Sequence, residues 1–290
     1  MPRNFQFRLH YSMPALPGDF YMFKNKLALV GAAIVVGLIF MAIFAEYIAP
    51  YDPLEQNIIM KLKPPSKEHW FGQDPLGRDM LSRMIYGSRI SLKVGIATVT
   101  ISLTVGLIIG SISGYYGGFV DEVFMRIVDI LMAFPGILLA IAMVAVLGPD
   151  LNHVILALCL IGWVGYARLV RGQVLYVREL DYVTAAQALG ASSARIIALH
   201  IIPNLIAPVI VEATFGMAGA ILAEASLSFL GLGAQPPTPS WGAMLNEGRQ
   251  FLLLAPHTTT FPGIAIMLVV LGFNFLGDGL RDYLDVKREA

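Results

Sequence analysis

The chain has 290 residues, 57% of them hydrophobic and only 14% charged, with acids and bases balanced to no net charge. A soluble domain carries roughly 25% charged residues, so a mean hydropathy of +0.69 excludes an ordinary water-soluble protein, and the balanced charge gives no reason to expect nucleic acid as a partner. The lone cysteine, Cys159, lies in an apolar run and excludes an intrachain disulfide framework. The composition instead predicts an all-α polytopic membrane protein, a single bundle of six transmembrane helices.

Residues 1–26 are polar, and Arg3, Arg8, Lys24 and Lys26 place this segment in the cytoplasm. The apolar run that follows is about the 20 residues a bilayer requires. It is too long for the core of a cleaved signal and reads as a first transmembrane helix over 27–49. Residues 50–89, with Pro53, Pro64 and Pro65, read as an extracytoplasmic connection. Within it, the stretch GQDPLGRDMLSR from Gly72 to Arg83 packs acids and arginines closely. Asp79 and Arg83 stand at i, i+4 and predict an exposed pair worth a few tenths of a kcal/mol.

A five-helix core is expected over 90–285. Its first span, near Val94 to Gly114, offers Gly95, Gly106 and Gly110 for close helix contacts. The next, about Val123 to Leu147, holds Arg126 and Asp129 at i, i+3, which predicts that they pair or reach the interface. Phe134, Pro135 and Gly136 then predict a kink, either facing a pore or made for packing. The span over Val154 to Val170 exits on the cytoplasmic side at Arg168, Arg171 and Arg178.

The polar interlude DYVTAAQALGASSARIIALHIIPN follows, from Asp181 to Asn204. Tyr182, Ala185, Ala186 and Leu189 recur at helical spacing and form one narrow stripe. Gly190 stops that helix, Ser192 or Ser193 caps a second, and Pro203 suits the first turn of a new one. The unit is either a knob that fits a groove on a partner protein or a loop helix lying on the membrane surface. Glu212, in the span over Leu205 to Leu227, reads as the least comfortable charge in the chain. It lines a substrate path or is a carboxyl group hydrogen-bonded between helices. Ser226 to Gly248 is a loop stiffened by Pro236, Pro237 and Pro239. The last span, Thr259 to Leu276, leads to Arg281, Lys287 and Arg288, which keep the tail at 286–290 inside.

The spacing of Ala185, Ala186, Gly190 and Pro203 resembles the cytoplasmic EAA loop of permease subunits in bacterial ATP-binding-cassette importers. Two positions depart from it: Thr184 stands where the motif has glutamate, and His200 where it has isoleucine. The stretch HIIPN, His200 to Asn204, is similar to the peptide and nickel branch of that family. Gly72 to Arg83 resembles the signature before the second core helix of dipeptide and oligopeptide permeases, and Ser226 to Gly248 resembles their extracytoplasmic loop between the last two spans.

The resemblance implies a type I importer permease with a cytoplasmic coupling helix in the loop 178–203, seated in a cleft of an ATPase subunit through Tyr182, Ala185, Ala186, Leu189, Gly190 and Pro203. It implies an extracytoplasmic loop over 228–258 that meets a solute-binding protein through Pro236, Pro237 and Trp241, and a translocation path near Pro135 and Glu212. The implied partners are a second homologous permease as heterodimer, two ATPases that hold the ATP and Mg, and the lipid of a bacterial inner membrane.

The chain has no GK[ST] phosphate loop, HExxH, paired metal-ligand spacing or GxSxG elbow. It is therefore expected to bind no cofactor or metal and not to be an enzyme, and the resemblance implies a transport subunit for dipeptides or oligopeptides. The alternatives are a permease for nickel chelates or another small solute, or an ion-coupled secondary transporter that uses Glu212 or Asp129 and needs no ATPase.

Overall fold

The computed structural model describes residues 26–289, so residues 1–25 of the segment read as cytoplasmic lie outside the described residues. Helix α1 (Lys26–Ile43) continues into a single turn, α2 (Ala45–Ile48), and a long connection then leads to α3 (Met80–Tyr116). At 37 residues α3 is about 55 Å long against about 30 Å of hydrocarbon, so one end stands clear of the bilayer. The helix begins inside the segment read as a connection to residue 89. Asp79 sets that start: its Oδ2 accepts from the Ser82 amide at 2.8 Å, satisfying one of the donors that a helix leaves open at its N-terminus.

Helices α4 (Gly118–Met132) and α5 (Gly136–Leu147) meet at 83°. The kink expected at Pro135 is thus a full break, because Pro135 has no amide hydrogen to continue the ladder and its ψ of 116° turns the chain out of the helix. The Arg126–Asp129 pair does not form: Asp129 pairs with Arg168 at 3.2 Å across to α6 (Leu151–Val177). Asp121 of α4 also meets Arg171 of α6 through two hydrogen bonds of 2.5 and 2.6 Å.

A short helix α7 (Asp181–Ala188) precedes α8 (Ser193–Ile196), which runs through a π-turn at Ile197–Ile201 into α9 (Ile202–Phe229). Pro203 therefore does not open a separate span, and Ser193–Phe229 is one apolar rod of 37 residues. Helices α10 (Trp241–Gly248) and α11 (His257–Glu289) complete the chain. Among the described residues five helices are long and apolar enough to cross a membrane, six if the bent α4–α5 pair is counted as one broken span.

Close backbone packing holds the bundle. Gly106, Gly110 and Gly114 form a ridge along one face of α3, one residue every four, and α6 lies directly on it. A Cβ on Gly110 would stand 2.5 Å from the Ala167 carbonyl oxygen and 2.8 Å from the Val170 Cβ. At Gly114 it would stand 2.9 Å from the Val174 Cβ. With hydrocarbon on both sides of the balance, such contact between small residues is what drives helix association in lipid. Val35, Leu38, Met84, Ile221, Trp241 and Phe273 then join α1, α3, α9, α10 and α11 in one buried cluster.

This ridge predicts an asymmetric response to glycine substitution. Gly110→Leu forces α3 and α6 apart at a cost of about 1–3 kcal/mol or more, whereas Gly172→Ala, with nothing within 4 Å of the added carbon, is close to neutral. Thermal unfolding of the purified protein in detergent measures both, and equal midpoints for the two would contradict the packing described.

Candidate functional site

Three places in the fold concentrate polar chemistry: an elbow at α7, a cavity inside the bundle, and an ion cluster where α3 meets α10. In the elbow, Asp181 sits in the first turn of α7, where a negative charge suits the helix dipole. Gly190 ends the helix at φ +81°, a conformation that a side chain resists. Its amide donates to Gln187 O at 2.9 Å and the Ala191 amide donates to Ala186 O at 3.1 Å, the paired bonds of a Schellman stop.

The expected stripe divides. Ala186 turns inward with Val183 and packs against Val174, Val177, Ile196 and Ile201, so it serves the interior of the joint. Tyr182, Ala185 and Leu189 face outward, Leu189 at 89% exposure. Thr184 donates to the Asp181 carbonyl at 2.9 Å where the family motif carries a carboxylate.

The elbow is tied to the rod behind it. The carbonyl of His200, inside the π-turn, accepts from Tyr182 Oη at 3.3 Å and from Asn204 Nδ2 at 2.7 Å. Partial burial pushes the Tyr182 phenol above its ordinary pKa, so it remains a donor at neutral pH. Pro203 is exposed beside this turn and not in the outward face of α7.

Higher in the rod, Glu212 lines an open cavity of about 320 Å³ between α3, α5, α6 and α9. It also lines a second cavity of about 350 Å³, with Gln173, Pro208 and Arg281 on its wall. Gly136 reaches the first cavity, while its neighbour Pro135 is exposed and does not line it. Glu212 is half-buried, and the deepest charge in the rod is Glu224, fully buried and accepting from Ser228 Oγ at 2.7 Å.

At the start of α3, Arg83 is 1% exposed and donates through Nη1 to Asp74 and, at 2.8 Å, to Glu247 Oε2. Arg78 reaches the same two carboxylates at 2.5 and 2.8 Å. Two cations and two anions thus close a neutral quartet, the condition under which buried charge is tolerated. The expected Asp79–Arg83 surface pair is replaced by this cluster, because Asp79 is occupied by its cap and by His69 Nδ1 at 2.9 Å.

Trp241 departs from expectation as well. It is 1% exposed, and its Nε1 donates to the Met84 carbonyl at 2.9 Å through the gap left by Gly87. A side chain so placed anchors the loop from within and offers nothing to a binding protein. Pro236 and Pro237 remain exposed.

Residues 106–289 match the family described as the binding-protein-dependent transport system inner membrane component, and residues 20–65 match the N-terminal transmembrane domain of oligopeptide transport permease C. The chain is 51% identical to a dipeptide transport system permease protein DppC of Alkalihalophilus pseudofirmus, over 92% of this chain and 88% of that one. It is 49% identical to a glutathione transport system permease protein GsiD of Escherichia coli, over 91% of this chain and 88% of that one. Its fold is similar to a chain of the MetNI methionine ABC transporter in an inward-facing conformation, with TM-score 0.57, 18% identity, and coverage of 71% of this chain and 97% of that one.

The ion quartet generates a prediction independent of these likenesses. Arg83→Ala leaves Asp74 and Glu247 short of a counter-charge in a buried place and destabilises the protein by about 3–5 kcal/mol. Glu247→Gln costs less, since that side chain keeps 29% of its surface in water. Detergent unfolding midpoints report the order, and an Arg83→Ala variant as stable as the parent would contradict it.

Proposed function

Because the chain belongs to the family of binding-protein-dependent transport system inner membrane components, we propose that it forms the path by which an ATP-driven importer takes dipeptides or short oligopeptides into a bacterial cell. The peptide substrate rests on the names of the relatives at 51% and 49% identity. The chain works as a heterodimer with a second permease. Two ATPase subunits, which hold the ATP and Mg, stand on the cytoplasmic side, and a solute-binding protein delivers from the other. Both termini lie in the cytoplasm.

The observation that carries this reading is the elbow. Tyr182, Ala185 and Leu189 stand outward on a short helix whose inner face is locked to the rod through Val183, Ala186 and the His200 carbonyl. A small residue between two larger ones lets a partner's surface approach the backbone. Burial of Leu189 in a cleft of the ATPase contributes roughly 1.5–3 kcal/mol. ATP closes the ATPases, the elbow follows the cleft, and the rod carries the displacement to the cavities beside Glu212. Nucleotide thereby biases one of two packed arrangements of the bundle. On the opposite side, exposed Pro236 and Pro237 present a stiff surface to the binding protein.

Substitutions at the elbow test the reading. Ala185→Asp and Gly190→Val leave the chain inserted in the membrane and lower ATP-dependent peptide uptake by at least about tenfold, since Ala185→Asp blocks close approach and Gly190→Val strains a left-handed turn by about 1–2 kcal/mol. Uptake into proteoliposomes holding the whole complex measures this. Full uptake in both variants contradicts the coupling role, and an active chain purified without ATPase subunits favours an ion-coupled carrier instead.

A further inference from the structure

The hydroxyls of Ser102 and Tyr166 are buried and make no hydrogen bond among the described residues, although buried polar groups in proteins nearly always find a partner. Both residues line the cavity of about 320 Å³ between α3, α5, α6 and α9. Each oxygen occupies room that a glycine leaves. Ser102 Oγ lies 2.5 Å from where a Cβ on Gly162 would stand, and Tyr166 Oη would collide with a Cβ on Gly216. Two glycines on the wall thus leave the room that two unpaired oxygens occupy.

Glu212 is the charged residue of that wall, and Tyr166 lies within reach of its field. The carboxylate makes no ion pair or hydrogen bond among the described residues. A carboxylate held in the membrane without an ion pair is costly, and such residues mark ion and substrate routes. The wall therefore presents one negative charge, with hydroxyl groups that can accept as well as donate hydrogen bonds. A primary ammonium group matches it, with one positive charge and three donors. A carboxylate or phosphate would meet Glu212 with like charge. The volume is at the low end of ligand cavities, about 300–1,000 Å³, so it takes one end of a substrate.

We propose that this cavity is a transit site for the protonated amino end of the transported peptide, held by Glu212 together with the Ser102 and Tyr166 hydroxyls. The proposal rests on the peptide reading above and names the part of the substrate that the permease itself holds.

The test uses the whole complex in proteoliposomes and a dipeptide whose first residue carries a diazirine side chain and a free amine. Illumination during turnover labels α3, α6 or α9 at the wall around Ser102, Tyr166 and Glu212. Per assembled complex, Glu212→Gln lowers uptake about tenfold, equivalent to one strong charge contact of about 1.4 kcal/mol, while Glu212→Asp retains most of it. Tyr166→Phe and Ser102→Ala each lower it severalfold. If the wild-type complex imports the dipeptide but the label falls elsewhere, or the Gln, Phe and Ala variants import at the wild-type rate, the transit site is wrong and the peptide reading stands. If the wild-type complex imports no peptide, both fail.

Discussion

Every amide and carbonyl that crosses hydrocarbon must find its partner within the protein, and this requirement makes the segment from Ser193 to Phe229 a single rod. Two prolines threaten it, Pro203 and Pro208, each lacking a donor. The first is absorbed where the helix widens into a π-turn, with the Ile202 amide reaching back to the Ile197 carbonyl. The His200 carbonyl in that turn accepts from Tyr182 and Asn204. The turn that carries the ladder past Pro203 is thus also where the elbow is fastened. A sequence that merely ended one helix at Pro203 and began another would leave a hinge at the point where force is to be passed on.

The rod lies beside a stiffer frame. The glycine ridge holds α3 on α6 at backbone contact, and the Asp121–Arg171 pair fastens α4 to the same frame. At the other end, the ion quartet and the indole of Trp241 lock the start of α3 to α10. Between frame and rod stand the two cavities that share Glu212. Close-packed interiors change between discrete arrangements and do not deform smoothly. Displacement of the rod is therefore most easily accommodated along the wall where packing is already incomplete. On the proposed reading that wall is the path.

Much of this arrangement is written locally in the chain. Span length, the glycines at 106 and 110, the FPG break and the Gly190 stop each follow from a few neighbouring residues and their helical spacing. The helix, turn and second helix of the elbow follow from local spacing too, but a stripe of four positions covers more than one side of a two-turn helix, so Ala186 shares the stripe of Tyr182 and Leu189 yet faces inward. What could not be read are pairings between distant residues. Arg83 meets Glu247 across 164 positions, so a cluster that looks like a solvated loop in sequence is buried in the fold. Trp241 is placed toward a binding protein by the resemblance alone, and the slot left by Gly87 that takes its indole lies on a distant helix. The cavity hydroxyls leave no signal, since Ser102 and Tyr166 resemble any polar residue tolerated in a span.

On the proposed reading, motion enters the bundle at the elbow. Leu189 is 89% exposed, and Cys159 is a buried thiol that will not compete for reagent. A cysteine at position 189 in the assembled importer, treated with a reducible bifunctional crosslinker, measures the claim directly. The expected result is a bond to an ATPase subunit, arrest of ATP-driven uptake, and recovery when the linker is cleaved. A bond to the solute-binding protein, or uptake continuing at full rate with the elbow crosslinked, would contradict it.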